Sequence, residues 1–478
     1  MKLKIIFLLF VSFLNFSCSN TKSFHNQKIK KLTEVESLKK YGESISLAEA
    51  LKIGEERNLT LKIKTLQREV ATLDKNISFG NFLPSINLVG NYSQLDNDIN
   101  IDFDVSELTT SLGNAFSAIG ESAIAANLNS QTTMSSTLIE KSSYTYGVNA
   151  QIPIFVPSYW YLYSAKKNGE DMSKLVESLS KKLIELQITS QYFYILTLQS
   201  QEIYLKNEIK SIEETTKRAK ISLEVESIMP WEYKKALVLL KTKKYNLKEN
   251  KRNLKIAKMN LLKSLDLNPI DNITLESYNF KQKPFPDLEE CILNSLTNNE
   301  ALKISNLNVD VSQNAKKIAI SNFLPKIILG GGYVNNSNKI LSDPSFLNVN
   351  VSGVISLFNG FKNINEYKKA VKKEKIANLN LEKEFMKTII ETANAYYNLK
   401  KIDELLAISK LNLNAEKEKL KQSKAELSVG IIGEDKYFNS LASYNQSLTA
   451  VKNLEFNYNL SLSSLNITMG KSPIDKGE

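Results

Sequence analysis

Histidine, cysteine and glycine-rich loops are scarce in this sequence, and each scarcity excludes a class of chemistry. The chain has one histidine, His25, which excludes histidine triads, histidine metal sites and imidazole acid–base catalysis. Its two cysteines, Cys18 and Cys291, are too few for a zinc cluster. The run Gly330-Gly331-Gly332 lies in a strand pattern, where glycine indicates close packing or curvature and not a phosphate-binding loop. We therefore predict no enzyme activity, no metal site and no bound cofactor.

Long apolar runs are also missing after the N-terminal segment. No apolar stretch of 18 residues follows it, so no transmembrane helix is expected. Such a chain enters a membrane only through strands that close into a barrel, because lipid offers no hydrogen-bond partner to an open backbone.

The charge balance does not indicate a nucleic acid partner. Basic residues exceed acidic ones, 62 against 51, for a formal net charge of +11. The lysines are spread over long helical stretches without arginine clusters, so we interpret them as solvated helix surface.

The N-terminus has the features of an export signal. Two lysines precede the apolar run from Ile5 to Leu14, which has the length of a signal-peptide core and is short for a membrane span. The following Ser-Cys pair resembles the signal of a bacterial lipoprotein. This resemblance implies cleavage after residue 17, a covalent lipid on Cys18 and, because Ser19 comes next, sorting to the outer membrane.

The chain contains an internal duplication. The motif Asn81-Phe82-Leu83-Pro84 recurs as Asn322-Phe323-Leu324-Pro325, 241 positions later (325 − 84 = 241). A period this long indicates two copies of one supersecondary unit within a single fold, and not a solenoid. The same shift superposes Leu61 on Leu302, Ile63 on Ile304, Ile86 on Ile327, Leu88 on Leu329, Gly90 on Gly331 and Tyr92 on Tyr333.

Each copy is predicted to consist of a helix, a strand pair and a long helical hairpin. Ser46 and Glu49 form a capping-box pattern, from which a helix should run to about Asn81, before Pro84. Gly and Pro are absent between Gly169 and Pro230 and from 361 to 429, which predicts very long helices with hairpin tips near 230 and 430–433.

Apolar residues alternate with polar or small ones in four segments, which predicts strands at about 85–97, 143–155, 326–335 and 346–358. The alternation suits a small soluble antiparallel sheet, and it is also typical of a transmembrane barrel. The Ser/Ala/Asn/Thr-rich stretch 106–136 is predicted to be an exposed loop with a short helix.

The predicted organisation has six parts along the sequence. They are a signal peptide at 1–17, an acylated extended segment at 18–45, a first repeat at 46–268, an inter-repeat link at 269–287, a second repeat at 288–470 and a tail at 471–478.

In this order, the features resemble the TolC-like outer membrane efflux proteins, over nearly all of the chain after the signal. The resemblance implies a mainly α fold with a small transmembrane β part, in which a homotrimer shares a long α-helical barrel and a β-barrel with four strands from each protomer. The matching residues are the Leu47-x-x-Ala50-Leu51 opening, both Phe-Leu-Pro motifs, the strand ends Pro153-Ile154-Phe155 and Leu357-Phe358-Asn359-Gly360, and the Val429-Gly430 turn.

The resemblance also implies a location and partners. The chain would lie in the outer membrane of a Gram-negative bacterium, in contact with lipid, with its helical part in the periplasm. It would be a passive duct for efflux or secretion, joined to an inner-membrane pump through a periplasmic adaptor. The cargo, whether a drug, a metal ion or a polypeptide, stays open.

Particular residues receive roles from the resemblance. Glu434, Asp435 and Phe438 would form the pore constriction, where carboxylates of three copies attract cations; alternatively, the acidic pair only complements a helix N-terminus. A second acidic ring would fall near Phe438 or Asn439, neither of which is charged. The tips Met229, Pro230, Trp231, Val429, Gly430 and Ile431 would dock the adaptor or be buried between neighbouring hairpins, and Phe82, Pro84, Phe323 and Pro325 would mark the junction of barrel and helices.

Other classes of protein fit less well. A trimeric coiled-coil structural or adhesion protein of the cell envelope would lack the four alternating strands. A periplasmic adaptor would not show duplicated strand pairs bracketed by long helices, and a hydrolase is opposed by the missing catalytic residues.

Overall fold

The structure, a computed structural model, describes residues 44–337 and 343–473. The predicted signal peptide at 1–17, Cys18, His25 and nearly all of the segment at 18–45 lie outside the described residues, as do residues 474–478 of the tail. Among the described residues, no helix combines the length and apolar character needed to cross a membrane.

Long helices dominate the described chain. The helices are α1 (Leu47–Arg57), α2 (Leu59–Gly80), α3 (Ser106–Ala118), α4 (Ser122–Asn129), α5 (Pro157–Glu224), α6 (Pro230–Ser264), α7 (Leu288–Asn298), α8 (Glu300–Ser321), α9 (Lys362–Ser428) and α10 (Glu434–Thr468). The strands are β1 (Ser44–Ile45), β2 (Ser85–Gln94), β3 (Ile99–Asp104), β4 (Thr133–Ile139), β5 (Ser142–Phe155), β6 (Thr274–Leu275), β7 (Lys326–Asn336) and β8 (Ser345–Val354).

The chain divides into two compact units. The helical unit contains the described residues up to 70 together with 171–307 and 378–473, and the sheet unit contains 71–170 and 308–377. The long helices α5 and α9 contribute residues to both.

Both copies begin with a capped helix in the helical unit. The Ser46 hydroxyl accepts a hydrogen bond from the backbone N–H of Glu49 (3.2 Å), whose carboxylate accepts one from the Ser46 N–H (2.9 Å), which confirms the predicted capping box. The hydrogen bond from the Ser46 backbone lowers the pKa of the Glu49 carboxyl. In the second copy the Asp287 carboxylate accepts from the Glu290 N–H at 2.9 Å.

The helix predicted from Ser46 to Asn81 is interrupted, so that prediction was wrong in part. Asn58 leaves the helical conformation and separates α1 from α2. Its side-chain N–H donates to the Ser264 carbonyl at 2.8 Å, while its side-chain oxygen accepts from the Thr60 N–H at 2.9 Å. One buried amide thus ends α1, caps α2 and fastens both to the end of α6.

The second copy repeats this arrangement at the same shift of 241 positions. The Asn299 side-chain N–H donates to the Thr468 carbonyl at 3.0 Å, and its oxygen accepts from the Leu302 N–H at 3.1 Å. The duplication therefore preserves the contact that fixes each helix pair to the end of its own hairpin.

Equivalent positions also fill the two cores of the helical unit. Ala50 and Cys291, again 241 positions apart, are both fully buried. Cys291 is a free thiol packed as a small apolar residue, and burial raises its pKa. One apolar cluster joins α1, α5 and α6, and the other joins α7, α9 and α10.

The segment between the repeats is held by two buried tyrosines. Strand β6 pairs in parallel with β1, and the Tyr192 hydroxyl lies 3.0 Å from the Ile45 carbonyl oxygen and 2.8 Å from that of Glu276. The Tyr458 hydroxyl donates to the Lys283 carbonyl at 2.6 Å. The link is therefore fixed to α5 and α10.

Four long helices of the helical unit lie side by side in the order α6, α5, α10, α9. Lys243 of α6 forms an ion pair with Glu208 of α5 (2.7 Å). Phe193 of α5 stacks on Phe456 of α10, with ring centroids 4.9 Å apart.

The contact between α10 and α9 is largely polar. The hydroxyls of Ser423 and Ser440 lie 2.7 Å apart, and Asn398 donates to the Ser461 hydroxyl at 3.1 Å. Helices α6 and α9 are therefore the two margins of the layer.

The sheet unit contains one antiparallel sheet with the order β2-β5-β7-β8. Strand β8, predicted at 346–358, ends at Val354, which pairs with Lys326 at the start of β7. Pro325 precedes Lys326 and has no N–H to donate, so the ladder stops there. The chain then enters α9 through Gly360 and Phe361, both with positive φ (52° and 61°).

The insertion between β2 and β5 includes the stretch 106–136, which was predicted to be an exposed loop with a short helix, and this prediction was wrong in part. It contains the antiparallel pair β3–β4 and the two helices α3 and α4. The apolar alternation of Ile99, Ile101 and Phe103 supports a strand, and the buried Thr109 hydroxyl donates to the Gln131 carbonyl at 2.7 Å.

We predict that Asn58→Ala and Asn299→Ala each destabilise the helical unit by about 1–3 kcal/mol, because each substitution leaves a helix-end carbonyl and an amide N–H without a partner. Asn58 is the more buried residue and should show the larger loss. Thermal unfolding followed by circular dichroism measures it. Asn246→Ala, at an exposed site on α6, is the control, and equal stability of Asn58→Ala and Asn246→Ala would refute the prediction.

Candidate functional site

The register of the sheet sorts its side chains into two chemically different faces. One row across the strands joins Leu88, Val148, Tyr333 and Leu347, which are aligned opposite one another. Because side chains alternate with a period of two, residues two positions away along each strand lie on the same face. The next row in one direction contains Ile86, Ala150, Gly331 and Val349. In the other direction the next row contains Gly90, Tyr146, Asn335 and Ser345, and Tyr92 and Tyr144 follow beyond it.

The opposite face carries amides in the row beside Leu88, and its next row contains Val89, Gly147, Val334 and Phe346. Asn87 pairs with Asn149, which is aligned with Gly332 and, across it, Asn348. A β-carbon at Gly332 would lie 2.5 Å from the Asn149 side-chain oxygen, so the glycine leaves space for that amide. The predicted role of this glycine run in close packing fits the geometry.

The apolar face is uncovered in the described chain. Leu88 is 82% exposed and Leu347 is 76% exposed. A broad apolar face opposite a row of amides is the distribution expected when one side meets lipid and the other meets water. Strands β2 and β8 each pair on one side only, so their outer backbone groups have no partner strand within the described sheet.

The first junction motif is part of an aromatic cluster. The Phe82 ring lies 5.8 Å from that of Trp160 and 6.1 Å from that of Tyr159, and Pro84 separates α2 from β2. The second motif forms the turn between α8 and β7, where the Phe323 N–H donates to the Ile320 carbonyl and Pro325 directly precedes the strand.

The first hairpin tip exposes an aromatic side chain. Met229 lies before α6 and its N–H donates to the Glu232 carboxylate at 2.8 Å, while Pro230 occupies the first helical position. Trp231 is 55% exposed, and the Lys235 ammonium lies 4.5 Å from its ring centroid.

The second tip exposes aliphatic side chains. Gly430 has a φ of +77°, a conformation that favours glycine, and the Ile431 N–H donates to the Glu426 carbonyl at 2.9 Å. Val429 and Ile431 are both exposed. Each tip therefore presents apolar surface that the described chain does not cover.

The residues predicted to form the constriction lie at the start of α10. Glu434 is its exposed first residue, Asp435 is the second, and Gly433 caps the helix without a side chain. Phe438 is half-buried, with its ring 5.5 Å from that of Tyr437. A carboxylate at this place also complements the helix N-terminus, so both sequence interpretations fit the position.

Asn439 makes a contact that the sequence did not predict. Its side-chain oxygen accepts a hydrogen bond from the Ser211 hydroxyl of α5 at 2.5 Å. The position at which the resemblance suggested a second acidic ring thus joins the two hairpins. Its spacing from Ser211, 228 positions, gives no signal in the sequence.

Comparisons with known proteins agree with the geometry. The family model described as outer membrane efflux protein matches residues 292–465. No curated protein sequence matches the chain.

Solved structures match nearly the whole chain. The Campylobacter jejuni CmeC outer membrane channel is 16% identical with a TM-score of 0.70, covering 90% of this chain and 87% of that one. The Vibrio cholerae outer membrane protein VceC is 11% identical with a TM-score of 0.68, covering 90% and 97%. The open state of the Neisseria gonorrhoeae MtrE outer membrane channel is 16% identical with a TM-score of 0.67, covering 89% of each chain. At these identities the likeness shows the fold, and the predicted combination of long helices with a small β part is confirmed.

We predict that the two faces of the sheet tolerate charge very differently. Leu88→Lys and Val349→Lys should each cost about 2–4 kcal/mol in a membrane-inserted sheet, because they place an ammonium in lipid. Asn87→Lys and Asn348→Lys, their neighbours on the amide face, are matched controls. The measurement is the amount of folded protein in the outer membrane fraction and its thermal stability. Equal losses on both faces would indicate a soluble sheet.

Proposed function

We propose that this chain is an outer membrane efflux protein, which its family match over residues 292–465 and its fold support, and that three copies form one passive duct, joined to an inner-membrane pump through a periplasmic adaptor. The chain is located in the outer membrane, with its helices in the periplasm. The family is one of channels and not of enzymes.

The observation that carries the proposal is a sheet with an apolar face, an amide face and two edge strands that each pair on one side only. Strands β2 and β8 leave backbone groups without a partner strand, and such groups are not tolerated in lipid. Pairing β8 of one copy with β2 of the next would satisfy them. Three copies would supply about twelve strands, within the range of known outer membrane barrels. The amide face would then line a polar lumen.

A coiled-coil structural or adhesion protein is the alternative. It would require long helices and exposed seams, which the chain has, but it would give no use to a sheet that separates apolar from amide side chains. The sheet therefore favours the duct.

The hairpin tips supply the proposed partner surface. Trp231 on one tip, with Val429 and Ile431 on the other, exposes apolar area at the turns. Exposed apolar groups at fixed turns suit contact with an adaptor, which would cover them. The pump would act through that adaptor, because the duct has no energy source of its own.

We expect the first residues of α10 to control ion selectivity. In planar bilayers the wild type should give small cation-selective openings, and Glu434→Ala/Asp435→Ala should reduce selectivity or enlarge the openings, because fewer carboxylates would face the constriction. Glu224→Ala/Glu226→Ala, at the other tip, is the matched control.

Conductance that changes equally in both double variants would move the constriction away from α10 while keeping the duct. Failure of the wild type to insert would contradict the duct itself.

We also propose that Cys18 carries a covalent lipid. Cys18→Ser should abolish labelling of the chain by a radioactive or clickable fatty acid, whereas Cys291→Ser should retain it, because Cys291 is buried in the helical unit. Intact mass spectrometry provides a second measurement. Labelling that persists in Cys18→Ser would show that the lipid is attached at another residue.

A further inference from the structure

Helix α6 carries most of the chain's excess positive charge on its exposed surface. It has eleven basic residues and two acidic ones, a net of +9 (11 − 2), whereas α10, its counterpart in the second copy, has two basic and three acidic residues. Composition alone assigns this charge to solvent. Its spacing indicates a more specific use.

Four of these lysines follow one line along the helix. Lys234, Lys241, Lys248 and Lys255 recur at intervals of seven residues and are all exposed. An interval of seven keeps side chains on nearly the same side of a helix, drifting by about 20° each time. The described chain places no carboxylate within ion-pair distance of any of the four.

A second line with the same interval runs beside the lysines. Trp231, Val238 and Tyr245 each precede a lysine of the first line by three residues, and all three are exposed, Val238 by 64%. The two lines together have the alternating three- and four-residue spacing of a coiled-coil seam. We call them the α6 seam.

Helix α9, at the other margin of the layer, carries a complementary seam. Tyr397, Glu404, Leu411 and Glu418 also recur at intervals of seven, and all are exposed, Leu411 by 71%. Ile408 adds exposed apolar area between Glu404 and Leu411. We call these residues the α9 seam. Within the described chain, Glu404 and Glu418 form no ion pair with an ammonium group.

The contacts inside the helical unit set the relative levels of the two seams, where the level of a residue is its height along the helix axes. Near the tips, side-chain contacts align Lys243 with Glu208, Ser211 with Asn439, and Ser440 with Ser423. Following these contacts across the layer puts Glu418 about one and a half helical turns from the level of Lys241.

A second set of contacts fixes the levels further from the tips. These contacts align Asn250 with Leu198, Thr449 with Ser200, and Asn412 with Ser447. They bring Glu404 within about one turn of the level of Lys255 and, continued toward the tips, Glu418 within about one turn of the level of Lys241. Lys248 lies at the level of Leu411, which is between Glu404 and Glu418 on α9.

We propose that α6 of one copy packs antiparallel against α9 of the next, with Lys241 beside Glu418 and Lys255 beside Glu404. The inference rests on the proposed trimer, and we call this contact between α6 and α9 the joint. Rotation about an axis along the helices moves a copy sideways without changing its level, so the levels found within one protomer also hold between protomers. A basic seam on one margin and an acidic one on the other give a head-to-tail contact that repeats around a ring.

Charge reversal tests the joint. Lys241→Glu/Lys255→Glu and Glu404→Lys/Glu418→Lys should each raise the monomer fraction of the purified full chain about tenfold or more, because like charges then face each other. Combining all four substitutions should restore the trimer, since the pairs are exchanged and not removed. Lys424→Glu, exposed on another side of α9, is the control and should leave the trimer intact.

Native mass spectrometry in detergent gives the oligomer, and circular dichroism checks that each variant is folded. In the wild type, carbodiimide, which joins an amine to a carboxylate, should link the peptides of Lys241 and Glu418 in covalent dimers. Trimers that withstand both double reversals, or dimers without this link, would overturn the joint and leave the duct standing. A wild type that is monomeric would overturn the trimer and the joint together.

Discussion

Backbone polar groups inside a bilayer can pair only with other groups of the protein, and much of this architecture follows from that constraint. The sheet satisfies its backbone between strands, yet β2 and β8 remain open on one side. A single chain is therefore incomplete in lipid. The helical unit has the same property in another form, because α6 and α9 are margins with exposed seams. In the proposed ring, both incompletenesses are resolved by one head-to-tail neighbour.

The duplication has kept geometry where each copy packs on itself. Asn58 and Asn299 fix their helix pairs with the same two kinds of hydrogen bond, and Ala50 and Cys291 fill equivalent places. Charge has diverged instead. Helix α10 lies between α5 and α9 and contacts them through small polar and aromatic side chains, whereas α6 has one free side and carries the lysines. Divergence is therefore greatest where a copy faces something other than itself.

Features governed by local chemistry were predictable from the sequence. The capping box of Ser46 and the helix end before Pro84 each depend on neighbours in the chain. The break at Asn58 was missed because apolar periodicity continues across it. The carbonyl that selects this break belongs to Ser264, 206 positions away.

The insertion between β2 and β5 and the region of the predicted constriction show the same limit of prediction from sequence. Serine and threonine make up much of β4, so composition suggested a loop where one strand of the pair begins. Glu434 and Phe438 were assigned to the predicted constriction by resemblance to a known family, through their distance from a glycine turn, and this assignment stays a prediction. Asn439 acquired its role from Ser211 on another helix. Long-range pairings between polar residues leave little trace in one sequence, because many asparagines and serines would serve equally well.

The mixed composition of the proposed joint follows from the order of assembly. In the proposed outer membrane location, the chain would cross one membrane and remain soluble before it meets its copies, and an entirely apolar seam on α6 would promote association with any apolar surface. Lysines at every seventh position keep the seam hydrated, while Trp231, Val238 and Tyr245 supply the area that is buried on contact. The lysines also disfavour packing of α6 against α6 of another copy, because two seams of the same charge repel each other. Solubility before assembly and direction during assembly therefore come from the same side chains.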